Sequence, residues 1–363
     1  MKLNELAKKK IGWIETEPKK NSGIVLSTRI RLARNLYEKP FPGKANKSIQ
    51  IEVFDRLVDT INEIPQLKNA FIVKLMEYDK IDRRLLMERH LISYEHAVKK
   101  EGEPGVIFTQ DEKISIMVNE EDHYRIQIIS SGLSSTYLWN IISKIDDELN
   151  KRLNFAFHKK FGFLTACPTN VGSGLRVSCL MHLPALVLTN EIDKLIHGLQ
   201  KVNLSARGFY GEGTKPIGDI FQISNSVTLG KSELEIIENF EKIILTITKY
   251  EQEARKKLLQ KNTRYKLEDK FYRAYGTLLY SKEIDSEEAI LHLSRLRLWP
   301  EIDENINIEK KEVDQLIFTI QPGHLQEIVN KELTPEERDI IRSKFIKEKL
   351  FHMVEEAKDE QIH

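Results

Sequence analysis

Cysteine is nearly missing from this chain: two in 363 residues, Cys167 and Cys179. Their spacing fits neither a zinc pair nor a CxxC redox motif, and so few thiols in so long a chain point to a reducing compartment. Long apolar runs are missing too. No stretch approaches the roughly 18 apolar residues of a membrane span, and the opening segment, MKLNELAKKKIGW, lacks the apolar centre of a signal peptide. The expected location is therefore cytoplasmic. There is no excess of charge of either sign: 56 Lys and Arg stand against 55 Asp and Glu, for a net charge of +1. That balance excludes a general nucleic-acid binder, which carries a basic surplus. No repeat or low-complexity tract occurs. GFYGEGTK at Gly208 to Lys215 approaches a P-loop, but no lysine follows its second glycine directly, which excludes a Walker fold. The absence of HRD and DFG triplets excludes the common protein-kinase fold.

What is present is an ordinary globular composition, 40% hydrophobic and 31% charged, in a chain long enough for two or three domains. Before about residue 230, short β-type runs alternate with helical ones. GIVLSTRIRLARN reads as an extended segment, Ile81 to Ala97 as a helix, and GVIFTQ, KISIMV and YRIQIIS as strands. Ile114, Ile116 and Val118 share one strand face, and Ile126 and Ile128 share one face of the next. Asn119 to Asp122 join them as an acidic turn. A helix is predicted from about Thr136 to Leu153, with strands around Phe161–Ala166, Leu175–Met181, Ala206–Tyr210 and Asp219–Ser224. After Gly230 the pattern is helical, with starts at Ser232 and Glu235 (a capping box), at Asp285 and Glu288, and at Thr334, Pro335 and Glu337. The expected division is a catalytic domain over residues 1–254 and a helical domain over 255–363.

Chemistry concentrates in CPTNVGSGLR, from Cys167 to Arg176, and in three distant segments: STRIR from Ser27, NEEDHYR from Asn119 and RGFYGE from Arg207. Guanidinium forks match phosphate oxygens and keep their charge at any working pH. Singly, Arg29, Arg31, Arg34, Arg125, Arg176 and Arg207 each read as solvated basic residues. As an ensemble beside glycines and strand ends they read as a phosphate site. Arg29 and Arg31, two apart, face one side of a strand. Gly172 and Gly174 would let backbone N–H groups approach an anion. The NEED carboxylates and Glu212, set between Gly211 and Gly213, suit a cationic acceptor opposite that anion. Cys167 reads as a site cysteine, Cys179 as core.

Together these four segments resemble the phosphagen kinases, the creatine and arginine kinase family, over roughly Gly23 to Tyr250 and in that family's order. The resemblance implies an α+β catalytic domain with an antiparallel sheet flanked by helices, and transfer of the γ-phosphate of ATP, with magnesium, to a guanidinium nitrogen. By motif position it implies that Glu121 and Glu212 hold the acceptor and take its proton, with Cys167 beside it. The nucleotide would be bound by Ser27, Thr28, Arg29, Ile30 and Arg31, by His90 and Arg125, by Arg176, Val177, Ser178, Cys179 and Leu180, and by Arg207, Gly208, Phe209, Tyr210, Gly211 and Glu212. Tyr210 stands where creatine and arginine kinases usually carry another arginine.

Two departures bear on the substrate. STRIR lies almost at the start of the chain, without the preceding helical domain that covers small guanidines, and a helical extension follows the catalytic part. Both resemble the bacterial protein arginine kinases of this family. That likeness implies client proteins with accessible arginines as substrates. It also implies a zinc-containing activator, a heat-shock repressor and a Clp protease as partners, and a homodimer. RDIIRS, at Arg338 to Ser343, is similar to the phosphoarginine-binding motif of those proteins, with Ser343 in place of alanine; Arg338, Asp339 and Arg342 would form it. A kinase of a small free guanidine and a non-catalytic reader of phosphoarginine are the competing readings.

Overall fold

A computed structural model describes residues 3–15, 23–208, 216–301 and 308–359. Its strands are β1 (Val25–Arg34), β2 (Phe71–Lys74), β3 (Gly105–Phe108), β4 (Ile114–Val118), β5 (Tyr124–Ser131), β6 (Phe157–His158), β7 (Gly162–Phe163), β8 (Leu175–His182), β9 (Leu204–Arg207) and β10 (Ile220–Asn225). Its helices are α1 (Leu3–Ala7), α2 (Lys47–Ile61), α3 (Lys80–Glu88), α4 (Tyr94–Ala97), α5 (Ser135–Leu153), α6 (Pro184–Leu188), α7 (Ile192–Lys201), α8 (Glu233–Leu258), α9 (Lys261–Tyr280), α10 (Ser286–Leu298), α11 (Lys310–Thr319), α12 (Pro322–Val329) and α13 (Pro335–Asp359). Eight strands form one antiparallel sheet in the order β2-β3-β4-β5-β1-β8-β10-β9, and β6 and β7 make a separate small hairpin. This is the expected α+β class.

The sheet has two differently used faces, as strand alternation requires. On one face Ile30, Leu32, Ile126, Ile128, Val177, Cys179 and Ile223 are buried against α5 and α8. Those helices present Leu138, Ile142, Ile145 and Leu149, and Ile237, Phe240, Ile244 and Ile247, at the three- and four-residue spacing of a core-facing stripe. On the other face Leu26, Ile129, Leu180 and Ile220 pack under the helical part, with Leu293, Phe318 and Trp299. The helical part thus covers one end of that second face, and the other end is left as a cleft.

Several sequence expectations need adjusting. The helix expected over Ile81 to Ala97 is two helices, α3 and α4. Arg89 turns inward between them to pair with Glu112 and donates to the carbonyls of Lys9 and Lys10, while His90 takes φ +62°. The strand expected over Phe161–Ala166 shrinks to two residues. Residues 254 and 255, where the division into two domains is expected, both lie in the last turns of α8, and the continuity of that helix leaves the expectation as it stands. The three helix starts after Gly230 form as read: Ser232 and Glu235 cap each other, Asp285 accepts from Glu288 N, and Thr334 and Glu337 exchange bonds.

Candidate functional site

The arginines converge because of strand register. Arg31 of β1 lies opposite Arg176 of β8 and Gln127 of β5; Arg29 lies opposite Ser178; Ala33 lies opposite Arg125; Gln222 of β10 lies opposite Arg207 of β9 and Leu180 of β8. Directly paired residues point the same way, and so do residues two apart. Arg29, Arg31, Arg125, Arg176 and Arg207 therefore share one sheet face. They line one cavity of about 1430 Å³ together with His90, Glu120, Glu121, Cys167 and Asn170.

Charge is unevenly distributed in this cavity. Arg29 reaches Gln222 at 3.0 Å and His90 Nδ1 at 3.5 Å, and neither Arg29 nor Arg31 forms an ion pair among the described residues. Both guanidinium groups lie part-exposed on the cleft floor, but they are surrounded by protein and by each other. Burial, then Arg125 and Arg176, push the Arg29 pKa down to about 10; Arg31 is pushed down in the same way, with Arg29 adding to it. Such crowding of like charge is relieved by an anion, and phosphate oxygens fit guanidinium forks. His90 is held neutral, its pKa pushed to about 3 by burial and then by Arg29 and Arg31. Its ring meets Trp13 and Phe318 edge-on, with centroids 5.8 and 5.2 Å away.

The acidic turn faces these cations. It is not the exposed tip its composition predicts: Asn119, Glu120 and Asp122 are buried, and Glu121 alone of the four is exposed. The turn is held from all sides. Asn119, at φ +56°, donates to the carbonyls of Gln50 and Glu103; Asp122 accepts from Asn35 and from Ala166 N, both at 2.6 Å. Glu120 accepts from Arg125 at 2.7 Å and from Ser93 at 2.6 Å. Burial raises the Glu120 pKa, but Arg125 and Ser93 outweigh it and keep the carboxyl below its usual range. Glu121, 3.6 Å from Arg125, shifts the other way. Burial raises its pKa, and Asp122 and Glu120 add to the rise against the opposing pull of Arg125. A carboxylate of raised basicity beside an arginine-lined cavity is equipped to take a proton.

The glycine-containing loop serves packing. A Cβ on Gly172, at φ +115°, would lie 2.5 Å from the Thr228 carbonyl oxygen; one on Gly174, at φ +64°, would lie 2.5 Å from Arg34 Nη1. The N–H groups of Gly172 and Ser173 donate to the carbonyls of Phe163 and Thr228. The N–H of Gly172 is thus taken within the protein, both glycines let this loop lie against its neighbours, and Gly174 lines the cavity beside Arg176. The reading of Arg34 is corrected. It is buried on the opposite face, donating to Asp146 at 2.7–3.2 Å and to the Ala33 and Ser173 carbonyls, with Phe163 3.5 Å from its guanidinium carbon.

Of the remaining nucleotide candidates, Ser27 and Ser178 lie on the cleft face. Alternation places the side chains of Thr28, Ile30, Val177 and Cys179 on the opposite, packed face, and Leu180 lies under the helical part. The Thr28 hydroxyl donates to the Gly132 carbonyl at 2.6 Å, and burial pushes the Cys179 thiol up to about 12. Gly208 follows β9; Phe209, Tyr210, Gly211 and Glu212 lie outside the described residues. Arg338, Asp339 and Arg342 sit on α13, outside the cavity lining. Arg342 is buried, donates to the carbonyls of Ile320 and Ile284, and pairs with Asp339; the solvated pair suggested by helical spacing is not what forms. The hydroxyl of Ser343 donates to the Ser281 carbonyl at 2.7 Å. Sequence reasoning missed Ser93, Gln222 and the lining supplied by α10 and α12, which are brought in by chain crossings that no local pattern announces.

Comparison with known proteins shows the family. Residues 52–254 match the family described as ATP:guanido phosphotransferase, C-terminal catalytic domain. Residues 264–361 match the protein-arginine kinase McsB C-terminal domain. The chain belongs to the protein-arginine kinase branch of the ATP:guanido phosphotransferases. It is a phosphotransferase. The protein-arginine kinase of Halothermothrix orenii is 42% identical over 351 residues, 96% of this chain and 99% of that relative. The protein-arginine kinase of Symbiobacterium thermophilum is 44% identical over 342 residues, 93% of this chain and 96% of the relative. Among solved structures, a lombricine kinase superposes with a TM-score of 0.58 at 21% identity, covering 68% of this chain and 70% of that one. A duplicated taurocyamine kinase from Schistosoma mansoni gives 0.57 at 23% identity, covering 66% of this chain and 35% of that longer one. Both show likeness of fold. Among the described residues no helix is long and apolar enough to cross a membrane.

Proposed function

We propose that this protein is an ATP-dependent protein-arginine kinase. The observation that carries this reading is the opposition, within one cavity, of five arginines and the carboxylate of Glu121. The arginines bind the triphosphate of ATP and stabilise charge on the transferring group, while Glu121 orients the acceptor guanidinium. As the N–P bond forms, the bond from the γ-phosphorus to the bridging oxygen of ADP breaks, and the departing guanidinium proton passes to the Glu121 carboxylate. This is catalysis by positioning and fixed charge. Glu212 is assigned to the same work by motif position. Among the described residues no three His, Cys, Asp or Glu side chains gather into a metal site. That donor set does not fit a resident ion. Magnesium, which keeps water and phosphate ligands, would enter with the nucleotide, and no step here depends on it.

The relatives of 42–44% identity are named for protein arginine, which supports a protein acceptor over a small guanidine. Arg338, Asp339 and Arg342 are the proposed phosphoarginine-binding group. Degradation of marked clients by a Clp protease, an activator partner and a dimer belong to the same reading. Incubation with ATP and an arginine-rich protein, and separately with free arginine, tests it. Acid-labile phosphate on protein arginines is the expected result. Phosphate on the free amino acid alone would identify a small-guanidine kinase, and no transfer without ATP consumption would identify a non-catalytic reader.

A further inference from the structure

The cleft has an order along β1. At the Ala33 end lie Arg125, Gly174, Glu121 and Cys167, where the acceptor would enter. Arg31 with Arg176 comes next, then Arg29 with Ser178 and Gln222. Ser27 and Leu26 follow, and here the sheet face becomes apolar and passes under the helical part, with Leu26, Ile129, Leu180 and Ile220 in one cluster with Ile290 and Phe318. Along the part of β1 that lines the cavity, from Ala33 to Arg29, the strand runs about 13 Å at ~3.3 Å per residue. That length suits a triphosphate chain laid on the arginines, with the base carried past Arg29 toward the helical part.

The walls at that end come from the C-terminal helices. Ser286, Glu287 and Ile290 of α10, with Gln321 and Pro322 beside and in α12, line the same cavity as the five arginines. Ile290 is packed so closely that a Cβ on Gly218, at φ +61°, would lie 2.7 Å from its Cγ2. On the opposite wall Glu88 accepts from the N–H groups of Gly323 and His324, both at 2.9 Å, next to the turn that carries His90. The helical part therefore grips both rims of the cleft.

We propose that the C-terminal helices complete the nucleotide pocket: Ile290 and Pro322 form an apolar wall for the base, and Ser286 and Glu287 offer hydrogen-bonding groups to its edge or to the ribose. A flat apolar ring with a polar edge needs such a mixed wall, and Ile217, just before β10, continues it. Nucleotide recognition is then shared between the two parts of the chain, and the sheet with its arginines is incomplete without α10.

This rests on the kinase reading above, and the test separates the two. The full-length protein is titrated calorimetrically with ATP and with inorganic tripolyphosphate, which has the phosphates but neither base nor ribose. Ser286→Tyr, which fills the wall, should weaken ATP by more than about tenfold, and Glu287→Ala by about three- to fivefold, each leaving tripolyphosphate within about twofold. Equal weakening of both ligands, or unchanged ATP binding in both variants, overturns the proposal. If Ser286→Tyr lowers the thermal midpoint, Glu287→Ala, at an exposed position, decides alone. Failure of the unaltered protein to bind ATP at all refutes the kinase reading instead.

Discussion

Two sets of arginines sit on this scaffold, and their carboxylate partners separate them. Arg34, Arg89, Arg255, Arg297 and Arg342 are buried, and each meets an acid of the chain: Asp146, Glu112, Glu251, Asp314 and Asp339. Arg29 and Arg31 stand on the cleft face and form no ion pair among the described residues, and burial together with neighbouring arginines depresses the basicity of both. Removing one partner of a buried pair leaves an uncompensated charge and costs about 3–5 kcal/mol. A cation held without an acid beside others of its kind spends stability on a site that only a ligand neutralises. Buried arginines of this protein hold the fold together, whereas cleft arginines hold it ready for an anion.

The largest effect should come from the acid that faces the cleft set. Glu121→Gln is expected to lower phosphate transfer by about 10²–10⁴-fold, the range of a lost general base, while ATP affinity stays within about threefold. Labelled phosphate transfer and calorimetry read the two quantities separately. Near-normal turnover would remove Glu121 from its assigned role. Next, Arg31→Ala should reduce kcat/KM by about 10²–10³-fold, as for other fixed donors to transferring charge. Its thermal midpoint should hold or rise, because the substitution relieves crowding. Arg34→Ala, three residues along the same strand, should do the reverse: lose about 3–5 kcal/mol of stability, with the activity of the surviving folded protein little changed at low temperature. If Arg31→Ala melts the protein and Arg34→Ala does not, the division into two sets fails.

Sequence reading could not make this division, and the reason is physical. Arg31 and Arg34 share the same extended segment and nearly the same neighbours; one residue of parity sends them to opposite sheet faces. The alternation itself was readable, so Arg29 and Arg31 were expected on one side. That Asp146 of α5 would lie under Arg34, 112 positions later, is a tertiary fact with no local trace. The strands of the hairpin at Asn119–Asp122 and the caps of α8, α10 and α13 were legible because short-range chemistry sets them. The break after α3 was not, because Arg89 leaves the helix for Glu112 in another hairpin. Nor does the Cys167 loop announce in its sequence that Thr228 and Arg34 pack against its two glycines.

Arg342 tests whether the helical part obeys the same division. It is buried, donates to the carbonyls of Ile284 and Ile320, and so ties together the residues just before α10 and α12. Arg342→Ala leaves two carbonyls without that donor and should cost about 1–3 kcal/mol, read as a lower denaturant midpoint. Because those two helices wall the cleft, ATP binding should weaken with it by a smaller factor, about two- to fivefold. A variant as stable as the parent would leave Arg342 only its proposed role toward phosphoarginine and remove it from the set that holds the fold.

The smallest effect concerns histidine. His90, beside the cleft cations, is pushed down to about 3; His96 and His123 are pushed to about 4, and burial lowers His182 and His324 as well. Each folded-state pKa lies below the unfolded value near 6.5, so the unfolded chain binds more protons as pH falls through that value. The stability these groups contribute is present above about pH 6.5 and is lost as the pH falls from there toward their folded values. Glu327, raised to about 7 by burial and by Asp82, works the other way over part of the range and offsets one of them. The thermal midpoint should therefore fall between pH 7 and pH 5. Within this group His90 differs from His182, because Arg29 and Arg31 help to suppress it, whereas Arg297 and Arg255 act on His182. Binding of tripolyphosphate neutralises the first pair and leaves the second untouched. The ring signals of His90 in a nuclear magnetic resonance titration should shift to a higher pKa when that anion is added, and those of His182 should not move. An unmoved His90 would mean that the anion sits elsewhere.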